Sequence, residues 1–165
     1  MSKTINSLAE TLGNALSQCD AKVTAAESCT GGGVAHAITG VAGSSKWFDC
    51  GFVTYANSAK QAMLGVPQEM LASQGAESEA VVRSMVAGAA VAADADYAVA
   101  ISGIAGPGGG TEDKPVGTVW FAWHSPAGVK AKKYLLAGDR AAVREQAIEI
   151  SLQELLHQVT RCTTV

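Results

Sequence analysis

No stretch of the chain approaches the ~18 consecutive apolar residues of a membrane-crossing helix, so no membrane span is expected. Residues 1–10 lack the basic start and long apolar run of a secretory signal. There is no basic excess either. The formal net charge is −3, so nucleic acid is not an expected partner, and an anionic ligand would need its own arginines or helix ends. The four cysteines, Cys19, Cys29, Cys50 and Cys162, form no C-x-x-C pair and no zinc spacing. Unpaired thiols and a missing signal point to a reducing, cytoplasmic compartment. Histidine is scarce: none of His36, His124 and His157 has a metal-ligand neighbour at usable spacing. No metal and no cofactor are expected. Charged residues make up only 16% against 48% hydrophobic, a balance that excludes a disordered chain.

What is present reads as one domain over residues 1–165, long enough to bury a core. Ile5, Leu8, Leu12 and Leu16 recur at helical spacing and predict a helix over 3–19. A short strand is expected over 22–26, a turn over 27–33 and a helix over 34–39. The aromatic and β-branched run 47–55 predicts a buried strand. A helix over 57–64 ends at Gly65, and Pro67 opens another at its first position, to about 73. Ser78 is a candidate N-cap for a helix to about 93 with Val81, Val82, Met85, Val86 and Ala89 on one face. A strand at 96–101 precedes a glycine-rich loop at 102–115. Strands at 116–123 and 129–136 pair as a hairpin. Asp139 caps a last helix whose apolar face is Ile148, Leu152, Leu155, Leu156 and Val159. The fold class expected is α/β: a single three-layer α/β/α domain with a mixed sheet.

Four segments could carry chemistry. In Glu27-Ser28-Cys29-Thr30-Gly31-Gly32, two nucleophile types precede a helix that begins with glycines. Glycine starts a helix poorly, by about 1 kcal/mol against alanine. Close approach to a ligand, or free N–H groups around Thr30, Gly31 and Gly32 for an oxyanion, would account for it. A tight turn capped by Ser28 is the alternative. Tyr55-Ala56-Asn57-Ser58-Ala59-Lys60 places a phenol, an amide and an amine at a strand end. Lys60, if desolvated, is a general base; otherwise it is a solvated lysine on a short helix. The loop from Ser102 and Gly103 to Thr111 fails as a Walker A motif, because Gly109 replaces the lysine. It also fails as G-x-G-x-x-G, because Thr111 replaces the last glycine. Its composition still favours ligand contact over an idle connection. Arg140 and Arg144 share one helix face near a positive helix end, which suits a phosphate unless they pair with Asp139, Glu145 or Glu149. With no persuasive histidine, a serine–lysine pair is the economical arrangement.

The segments Ala26-Glu27-Ser28-Cys29-Thr30-Gly31-Gly32, Gly51-Phe52-Val53-Thr54-Tyr55-Ala56-Asn57-Ser58-Ala59-Lys60, Leu64-Gly65-Val66, Ser102-Gly103-Ile104-Ala105-Gly106-Pro107 and Lys114-Pro115-Val116-Gly117-Thr118-Val119 stand in the order seen in the CinA C-terminal domain family. The chain resembles that family from about residue 5 to 157. The family includes the nicotinamide-nucleotide amidohydrolases. The resemblance implies hydrolysis of nicotinamide mononucleotide to nicotinic acid mononucleotide and ammonia, in pyridine nucleotide salvage. It implies a serine–lysine pair matching Ser28 and Lys60, a nearby tyrosine matching Tyr55, and a phosphate-contacting arginine, for which Arg144, with Arg140, is the choice. Asn57, Ser102 and Gly103 are then candidate substrate contacts. The family also suggests a homo-oligomer. Its longer members carry an N-terminal domain resembling molybdopterin-binding proteins, whose activity is not expected here.

Two rivals remain at this point. One is a cysteine hydrolase with Cys29 as nucleophile and His36 as base. The other is a nucleotide-sensing or adaptor module that binds without turnover.

Overall fold

A computed structural model describes residues 1–162, and of Cys162 only the backbone. Five strands form one open sheet in the order β2-β1-β3-β4-β5. They are β1 (Val23–Glu27), β2 (Phe52–Val53), β3 (Tyr97–Gly103), β4 (Thr118–Ser125) and β5 (Gly128–Leu135). β1 runs parallel to both β2 and β3, while β4 and β5 return antiparallel, so the sheet is mixed. Every residue of β1 is buried, as are all of β3 but its last, the pattern of strands covered on both faces. β5 carries Lys130, Lys132 and Lys133 along its length, charges that suit a sheet edge.

Alternation along β3 sorts side chains into two layers. Val99 and Ile101 point to one face, where they join Phe121 and Trp123. Above them pack α1 (Lys3–Cys19), α2 (Gly33–Thr39) and α6 (Arg140–Cys162) through Ile5, Leu12, Leu16, Leu152 and Leu155. Ala98 and Ala100 point the other way, with Ala26 and Ala122, beneath α5 (Glu79–Ala92) and its Val82, Met85, Val86 and Ala89. α3 (Asn57–Leu64) and α4 (Gln68–Gln74) complete that layer. Small residues on this face let α5 lie close to the sheet. The expected three-layer α/β architecture is the observed one.

The strand expected over 47–55 is the main correction. Only Phe52 and Val53 pair, because β1 offers them just Ala26 and Glu27 as partners. Before that pair, the backbone is taken up by other contacts. Ser44–Lys46 forms a 3₁₀ turn, the Trp47 carbonyl accepts the Val23 N–H, and the Cys50 carbonyl accepts the Thr24 hydroxyl. Trp47 is buried, but its ring is a wedge against Gly13 of α1 and not part of a ladder. β3 also runs to Gly103, so Ser102 and Gly103 belong to a strand and not to the glycine-rich loop. Pro67 stands at the N-cap of α4, one position before the helix. Ser78 caps α5 as expected, its hydroxyl accepting the Val81 N–H.

α3 is held against α5 at Gly88, where an added methyl group would overlap the Leu64 carbonyl oxygen. Gly88→Ala is therefore expected to destabilise the fold by about 1–3 kcal/mol, the usual range for overpacking. The check is denaturant unfolding beside a control substitution at exposed Val91; an unchanged midpoint would refute the close contact.

Candidate active site

β1 and β2 end level with each other, while β3 runs on two residues to Gly103. Glu27 lies opposite Val53 and Ile101, so the next residues in each line are Thr54, Ser28 and Ser102. Backbone bonds hold that row: Thr54 N–H donates to the Glu27 carbonyl at 2.8 Å, and Ser28 N–H to the Ile101 carbonyl at 3.0 Å. Alternation sends the Ser28 and Ser102 side chains to the face of Ala26 and Ala100, towards α3 and α5. The Thr54 and Ser102 hydroxyls are buried and have no hydrogen-bond partner among the described residues, and the same holds for Thr30. A buried unpartnered polar group costs about 1–3 kcal/mol, so such a cluster calls for an external partner.

Lys60 comes into this row from α3 and is 1% exposed. Its Nζ lies 2.8 Å from the Thr54 carbonyl oxygen, 3.3 Å from that of Tyr55 and 3.1 Å from Ser28 Oγ. A neutral amine has two N–H groups and one lone pair. The two carbonyls accept the N–H groups, which leaves the lone pair facing the serine O–H. The protonated amine would instead donate to all three oxygens. Burial lowers the Lys60 pKa from the ordinary 10.5, with Glu77 and Cys29 pulling weakly the other way. Among the described residues Lys60 has no ion-pair partner.

Beyond Ser28 the chain turns at Gly31 (φ 59°) and Gly32 (φ 94°), a left-handed path that glycine follows without strain. The amides of this turn are not all available, as the sequence had suggested. Gly31 N–H donates to the Ser28 carbonyl, and Gly32 N–H donates to the Glu27 carboxylate. The amides of Cys29 and Thr30 have no acceptor among the described residues. In a trans peptide the N–H points away from its own carbonyl. The Ser28 carbonyl is held by Gly31 N–H, and that of Cys29 by Arg144 Nε at 3.1 Å. Both free N–H groups are thereby aimed to the opposite side.

Arg144 Nη2 also donates to the Thr30 carbonyl at 3.2 Å. Arg140 donates to the Gly106 carbonyl and to the Tyr55 hydroxyl, each at 3.0 Å. Both guanidinium groups line a cavity of about 520 Å³ with Ala105, Pro107 and Val116. Neither pairs with a carboxylate among the described residues, so the ion-pair alternative is not what the structure contains. The start of α6 is already capped, because Asp139 Oδ1 accepts the Ala142 N–H. An anion there would meet the guanidinium groups before a helix end that already has a carboxylate cap. Tyr55 is exposed, with its phenol at Arg140 and its carbonyl at Lys60. Asn57 is exposed at the first position of α3, and Gly103 lies beside Ser102 against β4.

Cys29 sits in the α1–α2–α6 core, and burial pushes its thiol up to about 11. His36 is exposed on α2. A protonated, enclosed thiol without its base does not support the cysteine alternative. Cys19, Cys29 and Cys50 are free thiols, while the Cys162 side chain lies outside the described residues. Sequence reasoning missed Thr54, which carried no signal of its own, and the role of Glu27. For Glu27 the signal was present: an acid just before a helix start can reach its free amides. Among the described residues no helix is long and apolar enough to cross a membrane.

A family model, the CinA C-terminal domain, matches residues 5–159. The chain is 56% identical over 157 residues to nicotinamide-nucleotide amidohydrolase PncC of Escherichia coli strain K12, covering 94% of this chain and 95% of that protein. It is 51% identical to the protein of the same name from Pseudomonas putida, covering 92% and 95%. Among solved structures, the competence/damage inducible protein CihA of Agrobacterium tumefaciens superposes with a TM-score of 0.93 at 39% identity, covering 96% of this chain and 97% of that one.

The buried, raised thiol gives a direct expectation. In the native protein Cys29 should resist alkylation at neutral pH while Cys19 and Cys50, both partly exposed, react first. Mass mapping of alkylated peptides reads the order; early modification of Cys29 would contradict the packing described.

Proposed function

The chain belongs to the CinA C-terminal domain family, and we propose that it hydrolyses the carboxamide of nicotinamide mononucleotide to nicotinic acid mononucleotide and ammonia. The observation that carries this reading is the 3.1 Å contact between Ser28 Oγ and the buried Lys60 Nζ, which also lies within hydrogen-bond reach of two backbone carbonyls. The substrate is that of the relatives named above, which share more than half of the residues aligned. Unpaired thiols among the described residues fit a reducing, cytoplasmic setting, in which the reaction recycles pyridine nucleotides.

The steps follow from the geometry. Lys60 takes the Ser28 proton as Oγ attacks the carboxamide carbon. The pyridinium ring draws electrons from that carbon and makes it a better electrophile. The Cys29 and Thr30 N–H groups, with no internal acceptor, receive the developing oxyanion. The protonated Lys60 gives its proton to the amide nitrogen, the C–N bond breaks, and ammonia leaves. Water then attacks the acyl-serine, losing a proton to Lys60, which returns it to Ser28. Ser102 lies beside Ser28 in the row, and its unpartnered hydroxyl is offered to the carboxamide. Arg140 and Arg144 hold the phosphate, with Tyr55 beside Arg140. Binding energy from this remote group positions the reacting one.

The direct test is ammonia release from nicotinamide mononucleotide in the presence of EDTA. Wild type should turn over, and Ser28→Ala and Lys60→Ala should each lose ~10³-fold or more in kcat. In wild type kcat/KM should rise with pH through a group titrating below 10.5, because only neutral Lys60 accepts the proton and burial lowers its pKa. Folded wild type that binds the nucleotide but releases no ammonia would support the sensing module instead.

The two arginines should separate kinetically. Arg140→Ala is expected to raise KM by about 10–100-fold with kcat little changed, the scale of a lost charge-assisted hydrogen bond. Arg144→Ala should also lower kcat, since Arg144 holds the Cys29 and Thr30 carbonyls. Steady-state kinetics decide; equal effects on KM alone would remove Arg144 from the turn's support.

A further inference from the structure

Glu27 is 1% exposed, immediately precedes the nucleophile, and has no part in the chemistry set out above. Its side chain leaves β1 on the face opposite to that of Ser28, towards α2. There Oε2 accepts the N–H groups of Gly32 at 3.1 Å and Val34 at 3.0 Å, and Oε1 accepts that of Ala35 at 2.9 Å. A buried carboxylate is costly unless it is hydrogen-bonded, and here three amides at a helix start meet that need. The main chain of the same residue is fixed as well, since the Glu27 carbonyl accepts the Thr54 N–H.

This arrangement decides which donors a reacting carbonyl can reach. Five successive amides follow Thr30. Gly31 and Gly33 donate within the turn, to the Ser28 and Thr30 carbonyls. Gly32, Val34 and Ala35 donate to Glu27. Cys29 and Thr30 are left over, and they directly follow the nucleophile. If the carboxylate were absent, the start of α2 would present its own unsatisfied N–H groups, and nothing would tie that helix to the strand carrying Ser28.

Resting on the functional reading above, we propose that Glu27 is a positioning residue: its carboxylate binds the first amides of α2, fixes the turn that carries Ser28, and leaves the Cys29 and Thr30 amides as the oxyanion donors.

The experiment compares wild type, Glu27→Gln and Glu27→Asp. It measures kcat and KM for ammonia release, the rate at which phenylmethanesulfonyl fluoride labels Ser28 by intact mass, and the thermal midpoint. Glu27→Gln keeps the volume but turns an N–H₂ group towards amides that need an acceptor. Below its unfolding midpoint it should lose ~10²–10³-fold in kcat, the scale of a lost oxyanion donor, with KM within about threefold. Its Ser28 labelling should slow in step. Glu27→Asp keeps the charge on a shorter arm and should fall between the two. It also carries the test if the glutamine variant does not fold. Folded variants that match wild type in both kcat and labelling rate would overturn the proposal while leaving the amidase reading intact. Wild type that neither releases ammonia nor takes the label would overturn the amidase reading, and the proposal with it.

Discussion

The site depends on one amine being kept out of water beside one hydroxyl. Lysine in water is protonated near neutrality and has no lone pair to offer. The fold removes the water by setting Lys60 under α5 and the sheet, and supplies two backbone carbonyls in its place. Those carbonyls belong to Thr54 and Tyr55, the residues that follow β2. The short edge strand therefore contributes little area to the sheet, yet the two residues that follow it supply the acceptors that hold the buried amine.

The same economy applies to the turn after β1. A strand that stops in the middle of a sheet exposes its last carbonyls and amides, and each must find a partner or a purpose. Glu27 takes the amides on one side, and Arg144 takes the carbonyls of Cys29 and Thr30 on the other. Of the four buried side-chain atoms without a hydrogen-bond partner among the described residues, three are hydroxyls of the segments around Ser28, those of Thr30, Thr54 and Ser102; the fourth, Gln158 Oε1, lies apart on α6. Such a concentration is what a ligand's own polar groups could complete.

Much of this was legible in the sequence, and the misses have physical causes. The helix over 3–19 was readable because a single apolar stripe repeats at helical spacing. Ser78 was readable because its hydroxyl meets a backbone amide three residues on. Ser28 and Lys60 were singled out by residue type and place, though only the fold shows their contact. The strand over 47–55 failed because aromatic content reports burial, and Trp47 is buried against α1 and not in a ladder. The Gly31 and Gly32 amides, expected to be free, already donate within the protein, because sequence shows where amides are and not which are engaged. The Asp139 cap is readable in the sequence, and a carboxylate at that helix end leaves less room for a second anion.

The basic residues of the site arrive from different layers, Lys60 on α3 and the arginines on α6. The sheet lies between these two layers. A phosphate dianion close to a buried lysine would favour the ammonium form and silence the base. Here two guanidinium groups stand where that dianion is proposed to settle, on the far side of the nucleophile's turn. Holding the substrate tightly and keeping the base deprotonated would otherwise be opposed demands on one small cavity; by dividing them between the two faces, the fold allows each to be strengthened without weakening the other.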